Sequence, residues 1–540
     1  MGTPSDDVLD SWKAIAQYLN KDIRTLQRWE TNRNLPVHRI PGGDRPSVFA
    51  LRSELDAWRR GRTIHVATQV EEPSKHNPQV PTIAVLPFLD LGSDKESEYF
   101  ADGLADEIIT ALTRVHGLRV IARTSSFAFR GHGQDIRKIG SSLGATAVLE
   151  GSVRRSGNRI RFTAQLINAV DGCHIWGERY DQELTELFTI QENVSESVIS
   201  SLQIHLREKE LAIPIRTANP EAYQLWLEGR HHTQRQTPNH LLRSRRCFEQ
   251  AVALDPGFAQ ALVGIAESWW ECAVFGLESP REAVAVGHDA VTRALDLDPC
   301  CADAIAMLGV YSGVHDFDWA GSERHFQRAL QLNPASPDIR RRYAAFLLEP
   351  MGRLNESRTQ HEAALDLDPL SPVVLAFLGH CMVLERRYDE AVEQLQETVE
   401  RDPEYWMAQL MLAGAYAFQG QYDKALPIIQ SAERALGSNP MVLGPAGLMY
   451  GRLGNLSEAE NCRRALQAAG EMRYVSPLCL AWVDLGLGDI ASALDWMEKA
   501  VEERDPQIIH FSVKPLYDSL HAHPRFQELL GRMHLKAVAR

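Results

Sequence analysis

Residues 294–299 read ALDLDP, and residues 364–369 read ALDLDP again. Variants of the phrase stand at 251–256 (AVALDP), 329–334 (ALQLNP) and 398–403 (TVERDP), so that Pro256, Pro299, Pro334, Pro369 and Pro403 follow one another at 43, 35, 35 and 34 residues. Each phrase closes an amphipathic helical run. Proline cannot continue a helix, and it also pushes the residue before it out of the helical region. A period near 34 in a long helical chain marks stacked repeats, each burying its apolar face only against its neighbours. Small residues such as Gly379, Ala391, Ala413 and Ala425 are expected where paired helices approach closely. The spacing degrades later, yet 441–469 and 477–503 keep helix-pair patterns, so seven or eight repeats are expected, with Pro524 to Leu535 as a capping helix.

The period and its Asp/Asn-Pro ending resemble the tetratricopeptide repeat. That resemblance implies an all-α solenoid over 219–540 whose concave groove takes a protein or peptide partner. Aromatic residues at helical spacing, Trp269, Trp270, Tyr343, Phe346, Tyr416 and Phe418, read as core rather than as a binding platform.

Outward from the repeats, the N-terminal head carries the sharpest functional signal. From Ser11 to Arg62 there are 11 Lys/Arg against 5 Asp/Glu, a net +6; with the whole chain at −14, everything else carries −20. Ser11 is placed to cap a helix in which Trp12, Ile15, Ala16 and Leu19 form one stripe. Asp22 opens a second helix with Ile23, Leu26 and Trp29 facing inward and Arg24, Thr25, Gln27 and Arg28 outward. Two short helices at a tight turn fit a major groove, where arginine and glutamine read guanine and adenine edges. The runs 37–40 and 47–50 flank Pro41-Gly42-Gly43-Asp44-Arg45-Pro46, a hairpin with a basic tip, and Ser53 opens a closing helix with Leu55 and Trp58. This order, with the string SWKAIAQYLNKDIRTLQRWE, resembles winged-helix heads of the MerR and excisionase type. The resemblance implies double-stranded DNA as partner, with Arg24, Thr25, Gln27 and Arg28 in the groove and Arg39 and Arg45 on neighbouring backbone or minor groove. A protein-docking module with solvated arginines is the alternative.

Residues 63–81, with Pro73, Pro78 and Pro81 among polar residues, read as a linker, which puts the head at 1–62. Residues 82–211 alternate strand and helix patterns: strands at 83–88, 118–122, 147–153, 159–168 and 174–180, and helices at 99–114, 135–143 and 187–206. Hairpin and crossover connections together give an α/β (α+β) unit. The strings IAVLPF, YFADGLADEIITALTR, RVIARTSS, LEGSVRRSGNRIRFTAQLI and GCHIWGERYDQEL resemble the TolB-like (FlgO-related) domain of bacterial regulators and cyclase-associated proteins. Related architectures often place a transmembrane helix after the head, where this chain has only polar residues. Arg123, Ser125, Ser126 and Glu150 fall at strand ends, where α/β units often place ligands, although turn and cap roles are the plainer reading of them.

Chemistry-bearing motifs are otherwise sparse. Gly140-Ser141-Ser142-Leu143-Gly144 matches a nucleophile elbow in letters, but it ends a helix, where Gly144 fits a left-handed cap. Gly131-His132-Gly133 lacks the third glycine of a dinucleotide loop. The eight cysteines show no C-x-x-C pair, and His231, His232, His521 and His523 lack metal-ligand spacing. No signal peptide or apolar run of membrane length is present. These readings predict a multidomain cytoplasmic transcriptional regulator, not an enzyme, with no catalytic residues, no metal, no cofactor and no membrane contact. A homodimer would suit two-fold operators, and a scaffold that assembles proteins through its repeats is the alternative function.

Overall fold

The computed structural model describes residues 8–9, 11–19, 21, 23, 26, 35–40, 47–52, 55, 81–91, 95–113, 115, 117–131, 135–156, 159–183, 187–202, 217, 219–235, 237–437 and 439–538. It divides into two compact units, 1–79 and 80–540.

In the first unit, strands β1 (Val8–Leu9), β2 (His38–Ile40) and β3 (Ser47–Leu51) form an antiparallel sheet in the order β1-β3-β2. The expected hairpin pairs His38 with Phe49, Arg39 with Val48 and Ile40 with Ser47. A helix spans Trp12–Leu19, where Ser11 Oγ accepts the Ala14 N–H at 3.3 Å. Ile15 and Leu19 lie one turn apart and close a small core with Leu9, Leu26, Leu35, Ala50 and Leu55. Two features depart from expectation. Strand β1 was not anticipated, because two apolar residues in a polar N-terminus give no periodic signal. Ile23, expected inward, is 40% exposed and is absent from that core. The linker, Trp29 and Trp58 lie outside the described residues.

The second unit opens with a six-stranded mixed sheet. Strands β4 (Thr82–Val85), β5 (Leu89–Asp90), β6 (Arg119–Val120), β7 (Ala147–Ser156), β8 (Arg159–Asn168) and β9 (His174–Glu183) run β6-β4-β7-β8-β9, with β5 also on β7. Pairings among β4, β5, β6 and β7 are parallel, and the two long ladders β7-β8 and β8-β9 are antiparallel. Ile83 and Val85 point to one face, among Leu104, Ile108, Leu112, Val194 and Val198 of the helices Lys95–Leu112 and Leu187–Ser201. Ala84 and Leu86 point to the other, against Ile139 and Leu143 of the helix Ile136–Leu143. That helix is capped by Asp135 and ends at Gly144 with φ 63°, so the serine string is a helix terminus and not a strand-to-helix elbow. A further helix, Arg123–Phe127, had no periodicity to betray it.

From Pro220 to Glu503 the described chain forms eight antiparallel helix pairs, followed by two short 3₁₀ turns and the helix Pro524–Arg532. Asp255, Asp298, Asn333, Asp368 and Asp402 each cap the second helix of a pair, with φ between −133° and −141°. Their N–H groups still bond the carbonyl four residues back, so the helix is completed up to the residue that the next proline holds extended. Gly379 lies against Leu395, where an added Cβ would sit 2.7 Å from Leu395 Cγ; Ala391, Ala413 and Ala425 are fully buried. Trp270, Tyr343 and Tyr416 are buried and Trp269, Phe346 and Phe418 half-buried against the core. Two first helices loosen into π turns, Tyr311–His315 and Ala344–Leu348. The C-terminal segment folds back on earlier repeats: Trp319 Nε1 donates to the Met533 carbonyl at 2.8 Å, and Ser512 Oγ to the Pro350 carbonyl at 2.6 Å.

Candidate functional site

Of the residues expected at DNA, Arg24, Thr25, Gln27, Arg28 and Arg45 lie outside the described residues. Arg39 is placed by its backbone alone, on β2 opposite Val48. The turn glycines of 131–133 beyond Gly131 and the hairpin turn at 157–158 are likewise outside them.

Within the second unit, Ser125 and Arg123 are engaged in docking the sheet onto the helix pairs, while Ser126 and Glu150 stay within the sheet unit. The Ala122 N–H bonds the Leu367 carbonyl at 2.8 Å, and the Arg119 guanidinium donates to the Asp366 carbonyl. Ser125 then enters the repeat turn. Its N–H and hydroxyl both reach Asp368 Oδ1, at 2.9 and 2.5 Å, while its oxygen accepts the Leu370 N–H at 2.7 Å. Leu370 packs on the sheet core of Ala84, Leu86 and Ile121. Glu150 faces across the sheet to Gln165, at 2.5 Å.

A second seam joins the helix Lys95–Leu112 to the first repeat helix, Pro220–Arg235. Arg230 pairs with Asp106 and Arg130 with Asp102, and Arg123 lies 3.7 Å from Asp102 and 4.0 Å from Asp106 while covering the Phe127 ring at 4.3 Å. Asp102 and Asp106 are nearly inaccessible, so each pair is screened far less than a surface one. The same charge logic continues along the first helices of the next pairs. Arg342 meets Glu267 at 2.7 Å, and burial together with Glu267 pushes the Asp303 carboxyl up to about 6. Burial likewise pushes Asp368 up to about 6 against the opposing hydrogen bonds from Ser125. The sequence showed none of these partners, because each lies on a different element: Arg230 is 124 residues from Asp106 and Ser125 243 from Asp368, and even Arg130 is 28 from Asp102.

A third grouping is made of residues that sequence spacing did not single out. Glu349, fully buried, closes the second π turn, its N–H bonding the Ala344 carbonyl at 3.0 Å. Around its carboxylate stand His361, His380 and His510, from two helices and a 3₁₀ turn. Burial alone would raise the Glu349 carboxyl, but the three imidazoles hold it well below the usual carboxylate range; burial lowers His510 to about 4. The four residues are scattered over 162 positions, so no linear motif could have announced them. The eight cysteines are all free thiols, and burial raises Cys247 to about 11 and Cys272 to about 12.

A tetratricopeptide-repeat family model matches residues 385–440, and the repeat reading is borne out by it and by the helix pairs. The chain is 39% identical over 226 residues to a protein of Rhizobium meliloti (strain 1021) named putative adenylate cyclase 3, covering 42% of this chain and 38% of that one. It is 24% identical over 307 residues to the transcriptional regulator HilA of Salmonella typhimurium (strain LT2), covering 56% and 53%. The chain thus spans about two fifths to one half of the curated relatives it matches. A solved human IFIT1 dimer with PPP-AAAA overlays on 59% of this chain and 79% of that one at 18% identity and a TM-score of 0.40. The cyclase-named relative corrects one expectation, that the chain is not an enzyme: 226 residues align at 39% identity with a protein that bears an enzyme's name. Among the described residues no helix is long and apolar enough to cross a membrane.

Proposed function

We propose that the chain is a transcriptional regulator whose head binds duplex DNA while the TolB-like sheet unit and the repeats sense or recruit a protein partner. The observation that carries this reading is the charge partition, a +6 head on a −20 body, with Arg24, Thr25, Gln27 and Arg28 spaced along one face of a predicted helix and Arg39 and Arg45 on the adjoining hairpin. The relative named as a transcriptional regulator, matched over 56% of this chain, supports it. Genomic footprinting of the intact protein beside a chain lacking residues 1–62 tests it. Binding should fall steeply with salt, because each phosphate contact releases counterions, and should vanish without the head. Weak binding that the deletion leaves unchanged would leave the repeat scaffold as the function.

A second reading, nucleotide cyclisation, is favoured by the 39% identical stretch. Its test is cyclic AMP formation from ATP by the purified full chain with Mg²⁺ or Mn²⁺, and no product above a boiled control would dismiss it.

A further inference from the structure

We propose that Glu349, His380 and His510 bind a divalent transition-metal ion of the zinc class through Glu349 Oε2, His380 Nδ1 and His510 Nε2. Glu349 Oε2 lies 3.1 Å from His510 Nε2 and 3.6 Å from His380 Nδ1, and the three atoms fall within 4.8 Å of one another. Around a tetrahedral zinc with bonds of about 2.0–2.1 Å, ligand atoms stand about 3.4 Å apart, a separation that these two distances bracket. The third side, His380 Nδ1 to His510 Nε2, is at most 4.8 Å and closes by rotation of the two rings.

The other carboxylate oxygen is already fixed. Glu349 Oε1 accepts from Ser357 Oγ at 3.1 Å and lies 3.1 Å from His361 Nε2, the outer-shell support that orients a ligating carboxylate. A purely hydrogen-bonded cluster leaves two ring nitrogens without partners, His361 Nδ1 and His380 Nδ1, and the second faces the proposed ion. His380 Nδ1 is buried and without a hydrogen-bond partner, and 3.6 Å is too long for a bond to Oε2. A buried ring nitrogen left in this way is costly, and a cation between the three atoms would take up its lone pair.

Two imidazoles with one carboxylate select zinc and its neighbours over magnesium or calcium, which take oxygen ligands. Three protein ligands leave the fourth position for water. The placement is also particular: a π turn, a feature that recurs at functional sites, presents Glu349, and His510 reaches it only because the C-terminal segment folds back. The ion would therefore fasten that segment to the middle of the array.

The test uses the untagged full chain, stripped with chelator and titrated with Zn²⁺ against a chromophoric competitor. One ion per chain is expected, with a rise in melting temperature. Co²⁺ should give the visible bands of a tetrahedral nitrogen and oxygen site without the near-ultraviolet thiolate bands that cysteine ligation produces. His380→Gln and His510→Gln should weaken Zn²⁺ by more than the roughly 10–100-fold expected for the outer-shell change Ser357→Ala, while His325→Gln, on the helix Trp319–Leu332 and not among the cluster's residues, leaves it unchanged. Circular dichroism establishes folding; if a variant does not fold, the cobalt spectrum and zinc-dependent amide protection at 507–510 of the natural chain decide. No stoichiometric uptake, thiolate bands, no protection, or unchanged affinity in folded His380→Gln and His510→Gln would each overturn the site and leave a hydrogen-bonded cluster only.

Discussion

The hydroxyl of Ser125 stands in for a repeat's own turn bond, donating to Asp368 Oδ1 at 2.5 Å and accepting the Leu370 N–H at 2.7 Å. In the other Asp-Pro turns the aspartate does this itself: Asp255, Asp298 and Asp402 accept the N–H two residues on, at 3.0, 3.0 and 3.1 Å. The repeat turn after the fourth helix pair is thus completed by the sheet unit, one of the two seams that join them.

Ser125→Ala leaves the Leu370 N–H without its acceptor in a buried seam, a loss of about 1–3 kcal/mol. Denaturant unfolding at neutral pH should show it as a lower midpoint. Asp298→Ala, which frees one exposed turn bond, should cost less; equal losses would mean that the seam adds nothing.

Burial raises the Asp368 carboxyl to about 6, above its unfolded value near 3.9, so the folded state holds the proton longer. Its stabilising contribution is full below about pH 4 and is lost as pH rises through about 6. Asp368→Asn keeps an acceptor and removes the charge. Its stability relative to the natural chain should therefore climb between pH 4 and pH 7, and a gap that is flat across that range would contradict the burial argument.

Gly486 and Gly451 bring two first helices, Pro477–Leu487 and Pro440–Arg452, into backbone contact. A Cβ at Gly486 would fall 2.7 Å from both Leu448 Cα and its carbonyl oxygen, atoms that cannot swing away. Gly486→Ala should cost about 1–3 kcal/mol or more. Gly414, in the helix Trp406–Phe418, has nothing within 4 Å of the same position, so Gly414→Ala should stabilise by about 0.5–1 kcal/mol. Thermal melts of the two variants should move in opposite directions.

Arg28→Ala should cost about 1–3 kcal/mol of binding to the preferred duplex and relax specificity at one base position. Anisotropy titrations on matched and scrambled duplexes check it. Equal loss on both would reassign Arg28 to phosphate.

The repeat period, the proline stops and the alternation of the sheet strands were legible because they depend on neighbours within one turn or one ladder. Even the glycine and alanine positions followed, since close packing excludes larger side chains. The Glu349 cluster was not legible. His361, His380 and His510 carry no shared spacing, and their meeting depends on a π turn and on the fold-back of the last segment.

The two copies of ALDLDP mark the limit. The sequence by itself determined that each ends a helix, because proline acts on the residue beside it whatever surrounds the chain. Only the tertiary structure decided that Asp298 closes its own turn while Asp368 gives that bond up to Ser125, 243 residues away. A side-chain hydrogen bond goes to whichever partner packing brings within about 3 Å, and nothing in six identical letters records who that will be.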